Sequence, residues 1–425
     1  MDNYDKFQPK LREDIVFSPP EVRRLKVAHY VNDKYTNQFY RIGDREHFLL
    51  SRMDGKNTLD DLAEAYRAHF GRPLVPASWK SLFKLLESRQ MLDASADYSR
   101  LDRMKEESER KQQQSQRWYY HRFRFVNPDR ILGQILARLK FIYSPAFLAA
   151  ALAMILSVEL FVLLNVRAIA GEAWATRWVW GVWPACFILW LLCAVLHETA
   201  HGLTCKYFGG RVTDMGVMWR YLWFYPYCKL DHVVMFHNRK HRIYVFMAGT
   251  VTNLLVLIPF ALLWWWLPTT NLLNIISSRM LILINISSLI NLIPFVQMDG
   301  YFMLASALGM TDLRRESHGF LKKVLTNQGE WDKEYTIKEK RVYAIYGPLS
   351  ILITGYLIVV MPLFWYSLLT VHLGLQPLMS LTVLVGLVAA IALLIVLRRR
   401  ARRRHARRAA AAAAPQADRQ LAQAA

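Results

Sequence analysis

From residue 143 to residue 397 the chain carries apolar runs too long for the core of an ordinary soluble domain. A helix rises about 1.5 Å per residue, so about 20 apolar residues cross the ~30 Å hydrocarbon layer of a bilayer. Six stretches reach that length: 145–166, 179–200, 243–267, 277–298, 343–370 and 377–397. Lipid offers no hydrogen bonds, and a helix pairs its own main-chain donors and acceptors. The expected fold class is therefore mostly α: a polytopic membrane protein of about six transmembrane helices.

The intervening segments agree on an orientation. Loop 206–242 carries Lys206, Arg211, Lys229 and Arg239, and loop 301–342 carries Arg314, Arg315, Lys322 and Lys338. On the other side, 167–178 offers only Arg167 and Arg177, and 268–276 and 371–376 have no lysine or arginine. The positive-inside rule then places both long loops and both termini in the cytoplasm. Residues 1–14 are polar and do not resemble a signal peptide, which puts the leading domain on the same side. The expected location is a plasma membrane, the inner one in a bacterium.

The formal net charge of +21 would suit a nucleic-acid binder. Much of the excess, however, is a run of arginines in 398–408, directly after the last apolar stretch. That position suits the anionic headgroups of a bilayer. No base-reading module accompanies the charge, so a nucleic-acid partner is not expected. The four cysteines, Cys186, Cys193, Cys205 and Cys228, show no C-x-x-C pairing and read as packed thiols. Cys205 and Cys228 are weaker candidate metal ligands than the histidines nearby.

Four regions follow: a small domain at 17–95, a charged linker and interfacial segment at 96–142, a membrane domain at 143–397, and a basic, Ala-rich tail at 398–425. In the first, Lys26–Leu50 reads as short strands and turns. Thr58 is the expected N-cap of a helix carrying Leu59, Leu62 and Tyr66, and an amphipathic helix carries Trp79, Leu82 and Leu86. Hairpin plus helices predicts a small α+β, winged-helix-like cytoplasmic domain. Residues 100–117 read as a solvated helix or linker. The alternating aromatics and arginines from Trp118 to Arg130, with Tyr119 and Phe125 among them, suggest a segment lying at the membrane interface.

The pattern Phe39-Tyr40-Arg41-Ile42, Phe48-Leu49-Leu50 and 53–59 resembles the domains that hold precursor peptides in ribosomal-peptide maturation. The peptide chaperone of pyrroloquinoline quinone synthesis is a member. The resemblance implies recognition of a peptide by strand addition to a sheet edge. A generic folding or dimerisation module remains the alternative.

The second apolar stretch ends in His197-Glu198-Thr199-Ala200-His201. Residues four apart share a helix face, so both imidazoles can reach one metal, while Glu198 lies about 100° round. A zinc ion with three protein ligands keeps a fourth position for water and lowers its pKa. Such polar groups at the end of an apolar helix are costly without a partner. Ordinary interfacial polar residues are the plainer alternative. Near the end of the fourth stretch stands Asn291-Leu292-Ile293-Pro294-Phe295-Val296-Gln297-Met298-Asp299-Gly300. Together the two motifs resemble the site-2 proteases, intramembrane zinc metalloproteases, over residues 143–370.

The resemblance implies Zn2+ held by His197, His201 and Asp299, with Glu198 as general base. It also implies a peptide or membrane-protein substrate that Asn291 helps bind, or an oxyanion that Asn291 helps stabilise. An interhelical hydrogen bond is the simpler reading of Asn291. Pro294 should kink or unwind the helix, and Gly300 should let the chain turn after Asp299. Residues 248–253 match the family less well, with Thr250 where proline is common, and read as close helix packing. Residues 209–212 resemble the start of the family's small membrane-embedded sheet. His232, His237 and His241 fit a basic loop better than a second metal site, and Glu159 stands in the first apolar stretch without an assigned partner. The competing function is a non-proteolytic, metal-binding membrane partner in peptide maturation or export. No internal repeat points to a transporter.

Overall fold

The computed structural model describes residues 7–23, 26–114, 120–124, 128–179, 181–220, 223–310, 312–326 and 334–367, with short pieces between 370 and 386. The tail 398–425, most of the sixth apolar stretch, and Trp118, Tyr119 and Phe125 lie outside these residues. One compact unit runs to Gly347 and a second begins at Pro348.

The chain opens with strands β1 (Ile15–Phe17), β2 (Glu21–Arg23), β3 (Lys26–Asp33) and β4 (Gln38–Gly43). β3 is the hub: β1 pairs antiparallel with its C-terminal end, β2 with its N-terminal end, and β4 along Ala28–Asp33. Pro19 and Pro20 part β1 from β2, since proline cannot donate to a ladder. Helices α1 (Asp44–Leu50), α2 (Leu59–Phe70) and α3 (Pro76–Ser88) close a core around Val31, Leu50, Leu62 and Leu86. Thr58 caps α2 through a reciprocal pair: the Asp61 N–H donates to its hydroxyl at 3.2 Å, and its own N–H donates to the Asp61 carboxylate at 2.8 Å.

The domain starts earlier than residue 17. Leu11 belongs to the same core, and its N–H donates to the Met53 carbonyl at 3.0 Å. It also ends later. The first turn of α4 (Tyr98–Gln114) buries Leu101, and Tyr35 donates to Asp102 at 2.8 Å. The charged helix is thus anchored at one end. The order of elements is a sheet followed by three helices, and a winged-helix identity does not follow from it.

The expected interfacial segment is partly a strand. β5 (Tyr120–Arg124) pairs antiparallel with β6 (Met215–Arg220), which pairs in turn with β7 (Trp223–Cys228). The alternation of aromatics and arginines has period two, the period of a strand, and β6 supplies partners for its main chain. An amphipathic helix α5 (Pro128–Leu139) follows, then a short 3₁₀ turn at Lys140–Tyr143.

Among the described residues, four helices are long and apolar enough to cross a membrane: α6 (Pro145–Ala175), α7 (Val182–Tyr207), α8 (Arg239–Trp266) and α9 (Leu272–Asn291). They correspond to the first four expected stretches. The most apolar window of α9 is 56% buried and that of α6 is 17%, so α9 is central and α6 peripheral. α9 ends at Asn291 rather than 298, and α10 (Asp299–Leu308), α11 (Leu313–Leu325) and α12 (Ile337–Ser367) follow. α12 overlaps the fifth expected stretch. Glu159 finds its partner in the amide of Asn285 on α9, at 3.4 Å.

Candidate metal centre

α7 remains helical through residues 197–201, so His197 and His201 sit one turn apart with both rings buried. Their Nε2 atoms are 3.1 Å apart. Asp299, the first residue of α10, brings one carboxylate oxygen within 3.0 Å of His197 Nε2 and 3.3 Å of His201 Nε2. Three ligands about 2.0–2.1 Å from a tetrahedral ion lie roughly 3.3 Å from one another. The triangle therefore fits a small divalent metal. Among the described residues one further His and Asp group reaches comparable closeness: His29, Asp44 and His47.

Helix α8 seats the rings. His201 Nδ1 donates to the Val245 carbonyl at 2.6 Å, which leaves the Nε2 lone pair for a ligand. One turn on, Gly249 stands where an added Cβ would lie 2.5 Å from Nε2 of both His197 and His201. Only a residue without a side chain lets α8 come this close to the imidazoles. Residues 248–253 pack closely, as the sequence suggests, and what they pack against is the site itself. His197 Nδ1 is buried without a protein partner among the described residues.

Asp299 arrives by a tight return of the chain. α9 stops before Pro294, whose missing N–H and ring cannot continue it. After the turn, Gly300 lies so close to the Leu292 carbonyl that any Cβ would collide with it. Asn291 and Asp299 thus bracket a loop rather than standing two helical turns apart. The Asn291 amide lies 3.4 Å from His197 Nε2. Burial alone would raise the Asp299 pKa. The adjacent rings of His197 and His201 outweigh it and hold the carboxyl well below the usual carboxylate range.

Glu198 and Cys228, the last residue of β7, line the same cavity. The C-terminal end of α7 is pinned by α5: Lys206 donates to Asp129 at 2.7 Å, the Val212 N–H donates to the same carboxylate at 3.1 Å, and Leu132 packs on Gly202. Two cavities meet at the site. One, of about 340 Å³, is lined by Trp190, Cys193, Asn253, Ile284 and Asn291; the other, of about 500 Å³, reaches Tyr30 on β3. Glu198, Gln297, Asp299 and Phe302 line both.

The structure brings together all five residues singled out in the two motifs. Cys205 and Cys228 stand outside the ligand triangle, as do His232, His237 and His241. His232 meets Phe39 of β4 edge-on, and His241 stacks on Phe208 at 4.1 Å. Sequence reasoning missed Val245 and Gln297. A carbonyl leaves no mark in the identity of its residue, so Val245 carries no signal. No family model, curated protein or solved structure matches the chain.

Proposed function

We propose that the chain is a membrane-embedded zinc metalloendopeptidase of the site-2 protease type, cutting a peptide or membrane protein within or beside the bilayer. The observation that carries this reading is the 3.0–3.3 Å triangle of His197, His201 and Asp299 at the end of an apolar helix, with Glu198 beside it. Zn2+ held by these three would supply Lewis acidity. Glu198 takes the proton of the attacking water on its carboxylate and passes it to the leaving amine nitrogen. Asn291, beside His197, is placed to hold the substrate strand or its developing oxyanion. Further apolar stretches complete about six spans, with both termini cytoplasmic and the arginine tail against anionic headgroups. The N-terminal sheet recruits the peptide by strand addition at an edge, and Tyr30 of the same sheet lines the larger cavity beside the ligand triangle.

The test is hydrolysis by detergent-purified protein, with casein and a single-span membrane peptide as probes. Wild type should release new N-termini. Glu198→Gln should release none while keeping its metal, because a general base is needed for turnover and not for ligation. Equal cleavage by Glu198→Gln would overturn the mechanism. Metal retention with no cleavage by wild type would favour the non-proteolytic role in peptide maturation or export.

A further inference from the structure

We infer, on the reading that a peptide is cut at the ligand triangle, that the Asn253 amide of α8 binds the main chain of that peptide about two residues from the cut. Every other asparagine on the four apolar helices has a partner. Asn165 donates to the Phe161 carbonyl at 2.8 Å, Asn274 to the Trp264 and Leu267 carbonyls, and Asn285 to Glu159; Asn291 lies beside His197. Asn253 is 6% exposed, yet its amide makes no hydrogen bond to any described residue. An amide withdrawn from water without a partner is costly, and the apolar helices around it offer none.

What the Asn253 side chain meets is the cavity of about 340 Å³ at the ligand triangle. Ser287 of α9 lines the same cavity, and its hydroxyl likewise makes no hydrogen bond to a described residue. Gly249, one turn before Asn253, abuts both imidazoles; Asn291, one turn after Ser287, lies beside His197. One helical turn is about 5.4 Å, so the two groups stand roughly that far from the level of the triangle, toward the middle of the helices. Extended chain advances about 3.3 Å per residue, so the second residue from a peptide bond at the triangle reaches their level. Glu198 and Asp299 line the cavity too, which makes one continuous path from Asn253 to the triangle.

The chemistry fits a main chain better than a particular side chain. A helix unwound for cutting exposes one N–H and one C=O per residue, and lipid and apolar side chains satisfy neither. An amide is donor and acceptor at once, and a hydroxyl is as well, so Asn253 and Ser287 can bond both groups. Trp190, Cys193 and Ile284 form an apolar part of the wall and ask for no fixed charge. Such a site holds many sequences at one depth, and thereby sets where along the chain the cut falls.

The test uses the full Glu198→Gln chain in detergent, loaded with Zn2+, so that binding is read without turnover. The probe is a fluorescein-labelled single-span peptide of leucine and alanine with one central Gly-Pro pair to unwind it, titrated by anisotropy. Asn253→Leu keeps the branching of asparagine and removes its donor and acceptor; it should weaken binding about tenfold with zinc content unchanged. Ser287→Ala should weaken it about threefold, and Asn253→Gln should restore part of the loss. In the chain with Glu198 intact, Asn253→Leu should raise KM and leave kcat nearly unchanged, as lost uniform binding does. Unchanged affinity in Asn253→Leu, or no binding by the Glu198→Gln parent, would overturn the assignment. So would loss of zinc along with peptide in both Asn253→Leu and Ser287→Ala, since that marks a structural role. Weaker binding in Asn253→Leu beside a wild type that cuts nothing would keep the peptide site and retire the protease reading.

Discussion

The N-terminal domain and the helical bundle place their polar and apolar residues in opposite ways. In the first, Val31, Leu50, Leu62 and Leu86 are inside, and most charges are outside, the Arg12–Asp33 pair being buried. In the second, the centre of the bundle holds Asn274, Ser277, Ser278 and Arg279 on α9, while Leu163, Leu164 and Trp266 face outward. One physical rule produces both. Apolar surface is removed from water wherever water is the solvent, and where lipid is the solvent an exposed leucine costs nothing. Polar groups in the bundle must then find partners inside it. Asn274 does so by donating to the Trp264 and Leu267 carbonyls, each at 2.9 Å. The triangle of His197, His201 and Asp299 is an extreme case of that requirement.

The sharpest test of this contrast is at Gly249. Gly249→Leu places atoms where the two imidazoles sit, so the His201-dependent metal equivalent should vanish although no ligand has changed. Metal analysis beside His201→Ala reads this directly, and full retention would show that α8 does not seat the rings. Next in size, Leu62→Ala empties a position 1% exposed and should cost about 2–5 kcal/mol of domain stability. Urea-dependent pulse proteolysis of the N-terminal domain would measure it, with the membrane site unaffected.

A pair of lysine substitutions then separates the solvents. Leu160 on α6 and Val75 before α3 are similarly exposed, at 55% and 59%. Leu160→Lys should cost about 2.5–3.5 kcal/mol in a membrane-insertion assay. Val75→Lys should stay within about 0.5 kcal/mol in domain unfolding. Equal small effects would remove the bilayer from the argument. Thr58→Ala should cost about 0.5–2 kcal/mol of domain stability through the lost cap of α2.

The first four apolar stretches were legible because length and hydropathy alone mark a spanning helix. The Thr58 cap was legible because its chemistry lies within four residues. Where the chain doubles back, the sequence said less. Pro294 announced a break but not that Gly300 would return against Leu292, because the loop's path is decided by packing. The strand at 120–124 was hidden because its partner, β6, lies almost a hundred residues away. Neither motif contains its own support: Val245 and Gly249 come from a helix between them.

The N-terminal sheet and the ligand triangle also differ in when they can exist. Strands β1 to β4 pair within the first 43 residues of the chain. The triangle is not available until Asp299 has followed His201 out of the ribosome. At synthesis rates of about 5–20 residues per second, roughly ten to fifty seconds separate Gly43 from Asp299. During that interval the growing chain has the residues of its sheet but not the third corner of the triangle. The triangle is therefore the later of the two to be completed.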